Sequence, residues 1–263
     1  MVGILEAIFL GFIQGLTEWF PVSSSGHLAL FQNLMGLEVP VLYDIYLHVG
    51  TLIVLFAFFW REIGDIFSDL IRLDFKSDNS KLAGFIVIGL AITSVIGFMF
   101  HDQFSSMFNN LLYVGIAFLF TGVILTLSGL VKRGYRKVNF LDSILIGLFQ
   151  GISLIPGVSR SGATIGIGLF RGVDRVKVAK FSFLLSMPAI LGASIVESFS
   201  MSQLAIPFLM ENLSAVIFGV LASAITGYIC LKWLMKLVES GKFHYFAYYA
   251  FAVGIVTIIL SIV

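Results

Sequence analysis

Six stretches, at about residues 42–60, 82–100, 111–131, 181–199, 213–231 and 245–263, run nearly without charge over the length of a bilayer crossing. Such a crossing takes roughly 17–25 predominantly apolar residues. The remaining residues could not surround these stretches with a water-facing surface. Charged residues make up 12% of the 263, half the share of about 25% in a soluble domain. This excludes a disordered chain, a secreted disulfide scaffold and a soluble two-domain enzyme. The net charge of +1 argues against a nucleic-acid partner, and the single cysteine, Cys230, forbids an intrachain disulfide. The expectation is one all-α membrane domain over residues 1–263. The first 60 residues lack Lys and Arg, so no removable signal peptide is expected.

Two further apolar regions, residues 1–35 and 141–170, are each interrupted by a Pro, Ser and Gly cluster. Their halves are too short to cross alone and read as re-entrant hairpins or discontinuous helices. Fifteen of the 16 basic residues fall into four groups, at 61–81, 132–137, 171–180 and 232–242, whereas 101–110 and 200–212 hold none. With six crossings and both broken segments returning to their own side, all four groups share one face. The positive-inside rule makes that face cytoplasmic and puts both termini outside.

The broken segments align without a gap at an offset of 136 residues, Gly11–Gly26 over Gly147–Gly162, with seven identities in 16 positions including Gln14/Gln150. Opposite insertion makes this an inverted-topology repeat of halves about 1–131 and 137–263, with a ligand site near the midplane. In each copy a proline, Pro21 or Pro156, is expected to stop the first half-helix. Ser23–Ser25 and Ser159–Ser161 then start the second. Facing helix N-termini lined with hydroxyls suit a phosphate or diphosphate. Small residues in membrane helices also serve plain packing, but Glu18, His27 and Arg160 at this depth each cost about 2.5–3.5 kcal/mol on insertion scales and need a partner or a task. Gln14 and Glu18 share a helix face. Ser24 and His27 are expected within mutual reach, and Arg160 takes the place of Ser24 in the second copy. Arg offers a planar fork for phosphate oxygens, Glu a metal ligand or base, and His a proton shuttle. Glu18 and Arg160 also read as a structural ion pair, and Asp44 and His48 as a satisfied interfacial pair. His101 and His244 are expected in solvated loops, Glu6 near an interface, and Cys230 as apolar filler.

At Gln14-Gly-Leu-Thr-Glu18, Pro21-Val-Ser-Ser-Ser-Gly-His27 and Pro156-Gly-Val-Ser-Arg-Ser-Gly-Ala-Thr164 the chain resembles the undecaprenyl-diphosphate phosphatase family, also known for bacitracin resistance. Gly50-Thr51, Phe181-Ser-Phe-Leu-Leu185 and Pro188 support the likeness, which covers essentially the whole chain. The resemblance implies dephosphorylation of a C55 polyprenyl diphosphate lipid to the monophosphate carrier of cell-wall synthesis. It implies a divalent-cation site, Mg²⁺ or Ca²⁺, in a cleft opening outward, and allows a homodimer. By position the metal-binding pair maps to Gln14 and Glu18, the nucleophile to Ser24 with His27 as its partner, and the phosphate-binding pair to Arg160 and Thr164. Many members carry Glu at the place of Gln14. Ser23, Ser25, Ser159 and Ser161 join the phosphate cradle, with His48 and Asp44 behind it. The competing reading is a polyprenyl-phosphate flippase or phosphate-headgroup transporter using the same cavity.

Overall fold

A computed structural model describes residues 2–37, 39–108, 110–200 and 202–262. Among these, helices form and no strand does; two isolated bridges, Gly134–Asp174 and Arg136–Val173, join loops. The first broken segment is α1 (Ile4–Trp19) and α2 (Ser24–Leu34). It is followed by α3 (Val41–Phe58), α4 (Trp60–Ile71), α5 (Asp78–Met99), α6 (His101–Met107) and α7 (Leu111–Gly129). The second broken segment is α8 (Phe140–Ile152) and α9 (Arg160–Phe170), and α10 (Arg175–Ser200), α11 (Ser202–Glu239) and α12 (Phe246–Leu260) complete the chain.

Five segments are long and apolar enough to cross a membrane: α5, α7, much of α10 and α11, and Phe243–Leu260. A sixth arises when α3 is taken with α4, bent by 70° at their junction. The sequence places a loop after residue 61, but α4 is a helix. Its isoleucines and Phe67 recur at helical spacing opposite Glu62, Asp65 and Asp69, the pattern of an amphipathic helix. The expected loop at 200–212 is largely helical as well, within α11, which breaks at Asn212 (φ −119°, ψ 19°). There the Asn212 side chain accepts from the Val2 amide at 3.0 Å. Met1 and Val263, the termini placed outside by the charge pattern, lie outside the described residues.

Glycines set the packing of the broken segments. α1 lies against α11 and α8 against α5. Gly11 meets the Gly219 backbone and Gly147 the Gly89 backbone, so closely that a Cβ at Gly11 or Gly147 would overlap the facing chain. Small residues let backbones approach in this way where lipid supplies no hydrophobic drive between helices. Thr93 Oγ1 seals the second contact, bonding the carbonyls of Gly89 (2.9 Å) and Gly147 (3.0 Å). α7 packs along α12, with Gly115 against Gly254.

The basic groups meet on one face. Arg136 grips the fully buried Asp142 with both terminal nitrogens, and Arg171 Nε reaches the same carboxylate at 3.2 Å. Lys137 pairs with Asp78, Lys180 with Glu62 at 2.7 Å, and Arg175 lies against Gly241. His244 departs from its expected solvation: its ring covers Gly129 and is half-buried, because α7 and the turn before α12 close over it. Glu6 caps α1 by accepting from the Gly3 amide at 2.8 Å, and Cys230 is buried in the main core.

Candidate active site

Both broken segments turn within the protein, and their elbows touch. Phe20, ahead of Pro21, is extended (φ −61°, ψ 144°), as the clash with a following proline ring requires, and α1 ends there. α8 ends at Ile152, whose carbonyl is the one that Pro156, lacking an amide hydrogen, cannot bond. The chain leaves α8 through successive turns, and the left-handed step falls on Gly157 (φ 98°). Ser23 and Ser159 are the N-caps of α2 and α9, accepting from the Gly26 and Gly162 amides at 3.3 and 3.1 Å. The Gly157 amide crosses to Ser23 Oγ at 3.2 Å, joining the two elbows. Each helix start leaves its first amides, at Ser24 and Ser25 and at Arg160 and Ser161, without an intrahelical acceptor.

Above the elbows is a cavity of about 260 Å³ lined by α1, α2, α3, α5, α8, α9 and α10. Its polar centre is Glu18, 8% exposed. Oε1 takes a hydrogen bond from Arg160 Nη2 at 2.6 Å, and Oε2 takes one from Ser24 Oγ at 2.6 Å and one from Gln14 Nε2 at 3.1 Å. His48 Nε2 lies 3.4 Å from Oε2, while its Nδ1 donates to the Asp44 carbonyl at 2.8 Å. Arg160 keeps its other terminal nitrogen, Nη1, buried and without a hydrogen-bond partner among the described residues. A buried guanidinium donor beside a half-helix N-terminus is a ready contact for a phosphate oxygen.

The structure gathers Glu18, Ser23, Ser24, Ser25, Ser159, Arg160, Asp44 and His48 at the cavity. Four expected site residues lie elsewhere. Gln14 is fully buried behind Glu18. Thr164 Oγ1 binds the Arg160 carbonyl (2.7 Å) and the Ser182 hydroxyl (2.6 Å), one turn down α9, where it supports Arg160 instead of facing the cavity. Ser161 turns back to Ser159, Oγ to Oγ 3.3 Å. The expected Ser24–His27 pair is absent. His27 folds back along α2 to the Ser23 carbonyl and outward to Tyr249 of α12, leaving Glu18 as the group on the Ser24 hydroxyl. Nor do Asp44 and His48 pair through side chains; Gln32 Nε2 donates to the Asp44 carboxylate at 2.6 Å. The ion pair of Glu18 with Arg160 does form, inside the site.

Sequence reasoning passed over Gln150 and Thr93, which also line the cavity, and Thr121, which clasps the second elbow from α7. The identity of Gln150 with Gln14 in the repeat was the available signal for the first; nothing local marks the others. Among the described residues no three of His, Cys, Asp and Glu converge to hold a metal. Glu18 and Ser24 are hard oxygen donors at the cavity, and the buried Oε1 of Gln14, whose Nε2 faces Glu18, has no hydrogen-bond partner among the described residues. Oxygen donors of this kind, with phosphate and water, are the ligands that Mg²⁺ and Ca²⁺ take.

Residues 7–256 match the family model described as bacitracin resistance protein BacA. The undecaprenyl-diphosphatase of Halothermothrix orenii is 39% identical over 264 residues, covering 98% of both chains. That of Methanobrevibacter smithii is 40% identical over 275 residues, again 98% of both, and that of Methanosphaera stadtmanae is 36% identical over the full length of both.

Proposed function

The chain belongs to the bacitracin resistance protein BacA family, and from that premise we propose that it is a membrane phosphatase that hydrolyses undecaprenyl diphosphate to the monophosphate carrier lipid of cell-wall synthesis and inorganic phosphate. The observation that carries this is one carboxylate, Glu18, bound at once to a serine hydroxyl and to an arginine with a free donor, beside two helix N-termini.

The diphosphate enters the cavity with its terminal phosphoryl oxygens on Arg160 Nη1, on the Ser25 and Ser159 hydroxyls and on the free amides at the starts of α2 and α9. Ser24 Oγ attacks the terminal phosphorus as its proton passes to Glu18 Oε2, 2.6 Å away. The P–O bond to the lipid phosphate breaks, and the monophosphate leaves with the proton that Glu18 took up. The carboxylate, ionised again, draws a proton from water as the water oxygen attacks the phosphoserine phosphorus; the P–Oγ bond breaks, inorganic phosphate leaves and that proton returns to Ser24 Oγ. Positioning and preorganised donors provide most of the acceleration in such transfers. Glu18 and Gln14 would hold Mg²⁺ or Ca²⁺, which when bound supplies charge neutralisation for the phosphoryl oxygens. His48 and Asp44 keep Glu18 in place from α3.

The layout we favour is six crossings and two re-entrant hairpins in an inverted repeat. Its support is that α1 packs on α11 as α8 packs on α5, through aligned glycines. The four basic groups gathered on one face support a cytoplasmic assignment for that face. The cavity then opens outward, beside Phe108 and the N-terminal end of α3. A carrier that moved headgroups without chemistry would have no use for the Ser24–Glu18 contact. The deciding assay is phosphate release by the purified protein in detergent with undecaprenyl diphosphate, Mg²⁺ and no membrane gradient. Release by the wild type that Arg160→Ala reduces by about a hundredfold or more is expected; a variant turning over like the wild type rejects the assignment.

A further inference from the structure

The two elbows share a sequence but are held differently. At the position where the second elbow has Gly157, in the left-handed region at φ 98°, the first has Pro21. A proline ring locks φ near −65°, so the first elbow cannot make its left-handed step there. The step falls instead on Ser23 (φ 64°, ψ 101°), whereas its counterpart Ser159 is relaxed (φ −73°, ψ 121°). A residue with a Cβ adopts such a conformation only when its surroundings hold it.

Two hydrogen bonds at its carbonyl hold Ser23 in place. Its carbonyl accepts from His27 Nδ1 at 2.7 Å and from the His27 amide at 3.2 Å. The counterpart of His27 beside relaxed Ser159 is Ala163, whose amide bonds the Ser159 carbonyl at 2.8 Å but whose side chain offers no donor. A carbonyl only accepts, so Nδ1 carries the ring hydrogen. Nε2 of the neutral ring then accepts from the Tyr249 hydroxyl at 2.8 Å. The imidazole stacks on the Tyr249 ring (centroids 5.6 Å apart, 7° between planes) and meets the edge or face of Phe118 at 5.1 Å. His27 is buried and does not line the cavity. The second elbow is clasped from α7 by Thr121, which bonds the Gly157 carbonyl and the Ser159 amide, each at 3.0 Å. Each of the packed helices α7 and α12 thus fastens one elbow, α12 through His27.

We propose that His27 and Tyr249 form a latch that fixes the Ser23 peptide and so aims the Ser24 hydroxyl at Glu18, with His27 a positioning residue and not the acceptor of the Ser24 proton. The latch is needed because Pro21 denies the first elbow the glycine solution of the second. The proposal rests on the reading of Ser24 as the reacting hydroxyl.

The test separates the two nitrogens of His27. An asparagine amide places its NH₂ near the position of Nδ1 and has no proton to shuttle; a glutamine amide reaches the position of Nε2. With undecaprenyl diphosphate and Mg²⁺ in detergent, His27→Ala and His27→Gln lower kcat about a hundredfold with KM nearly unchanged, the cost of a hydroxyl misplaced by an ångström. His27→Asn stays within about fivefold of the wild type, and Tyr249→Phe, which keeps the stack, loses about fivefold. His27→Asn as inactive as His27→Ala, or His27→Ala as active as the wild type, overturns the proposal. Independently of turnover, ¹⁵N NMR of histidine-labelled wild-type protein is expected to show the neutral Nδ1–H tautomer in the signal that His27→Asn removes. The Nε2–H tautomer there overturns the latch. A wild type that releases no phosphate defeats the phosphatase reading instead, and the tautomer still decides the latch.

Discussion

Glu18 is where the site's polar contacts converge, and its neighbours are chosen by what a buried carboxylate requires. Arg160 balances its charge at 2.6 Å, and the Ser24 hydroxyl and the Gln14 amide occupy its other oxygen. Glu18→Gln leaves Arg160 a buried cation without a counter-charge. Breaking a buried pair from one side costs about 3–5 kcal/mol, so the variant should unfold in detergent at clearly lower temperature and release no phosphate. Arg160→Lys keeps the charge but not the fork that binds Glu18 with Nη2 while leaving Nη1 for phosphate. Its phosphate release should fall about a hundredfold, the loss of one preorganised donor, with a smaller change in unfolding than Glu18→Gln.

Among elements, the half-helices are placed by glycine contacts. Gly147→Ala sets a Cβ within 2.6 Å of the Gly89 carbonyl oxygen, so α5 and α8 must move apart to admit it. Overpacking of this kind costs about 1–3 kcal/mol. The matching control is Gly84→Ala on α5, where a Cβ meets nothing within 4 Å and alanine is the better helix former. Thermal unfolding of the two variants should move in opposite directions or, for Gly84→Ala, not at all. A Gly147→Ala protein that melts with the wild type removes the α5–α8 contact from the account. Asp142, held by Arg136 and Arg171, does for the loops at the basic face what the glycines do for the helices.

At the level of the whole molecule, the proposed topology puts the basic loops and the mouth of the cavity on opposite faces. Cys230 is buried, so a cysteine introduced elsewhere is the reactive one. Asp102→Cys on α6 should be labelled by an impermeant maleimide from outside intact cells, and Tyr135→Cys in the basic loop only after permeabilisation. The reverse pattern inverts the proposed topology. Chelation by EDTA should stop phosphate release, and Mg²⁺ or Ca²⁺ restore it; undiminished turnover in EDTA removes the cation from the proposal.

Much of this was written locally. Low charge dictates a membrane chain, and the seven identities locate two broken segments. Pro21 ends α1 through a clash with its own neighbour, while Ser23 and Ser159 cap the helices that follow them. Each of these acts within a few residues, so the chain's order reveals it. Spacing alone could not reveal the rotation of α2 that sends His27 to Tyr249, 222 residues away, and leaves Ser24 to Glu18. Nor could it show that Thr164 faces Ser182, or that Thr121 clasps the second elbow. Those partners come from other helices, and which side of a buried helix meets which neighbour is settled by packing between backbones, most closely at Gly11 and Gly147.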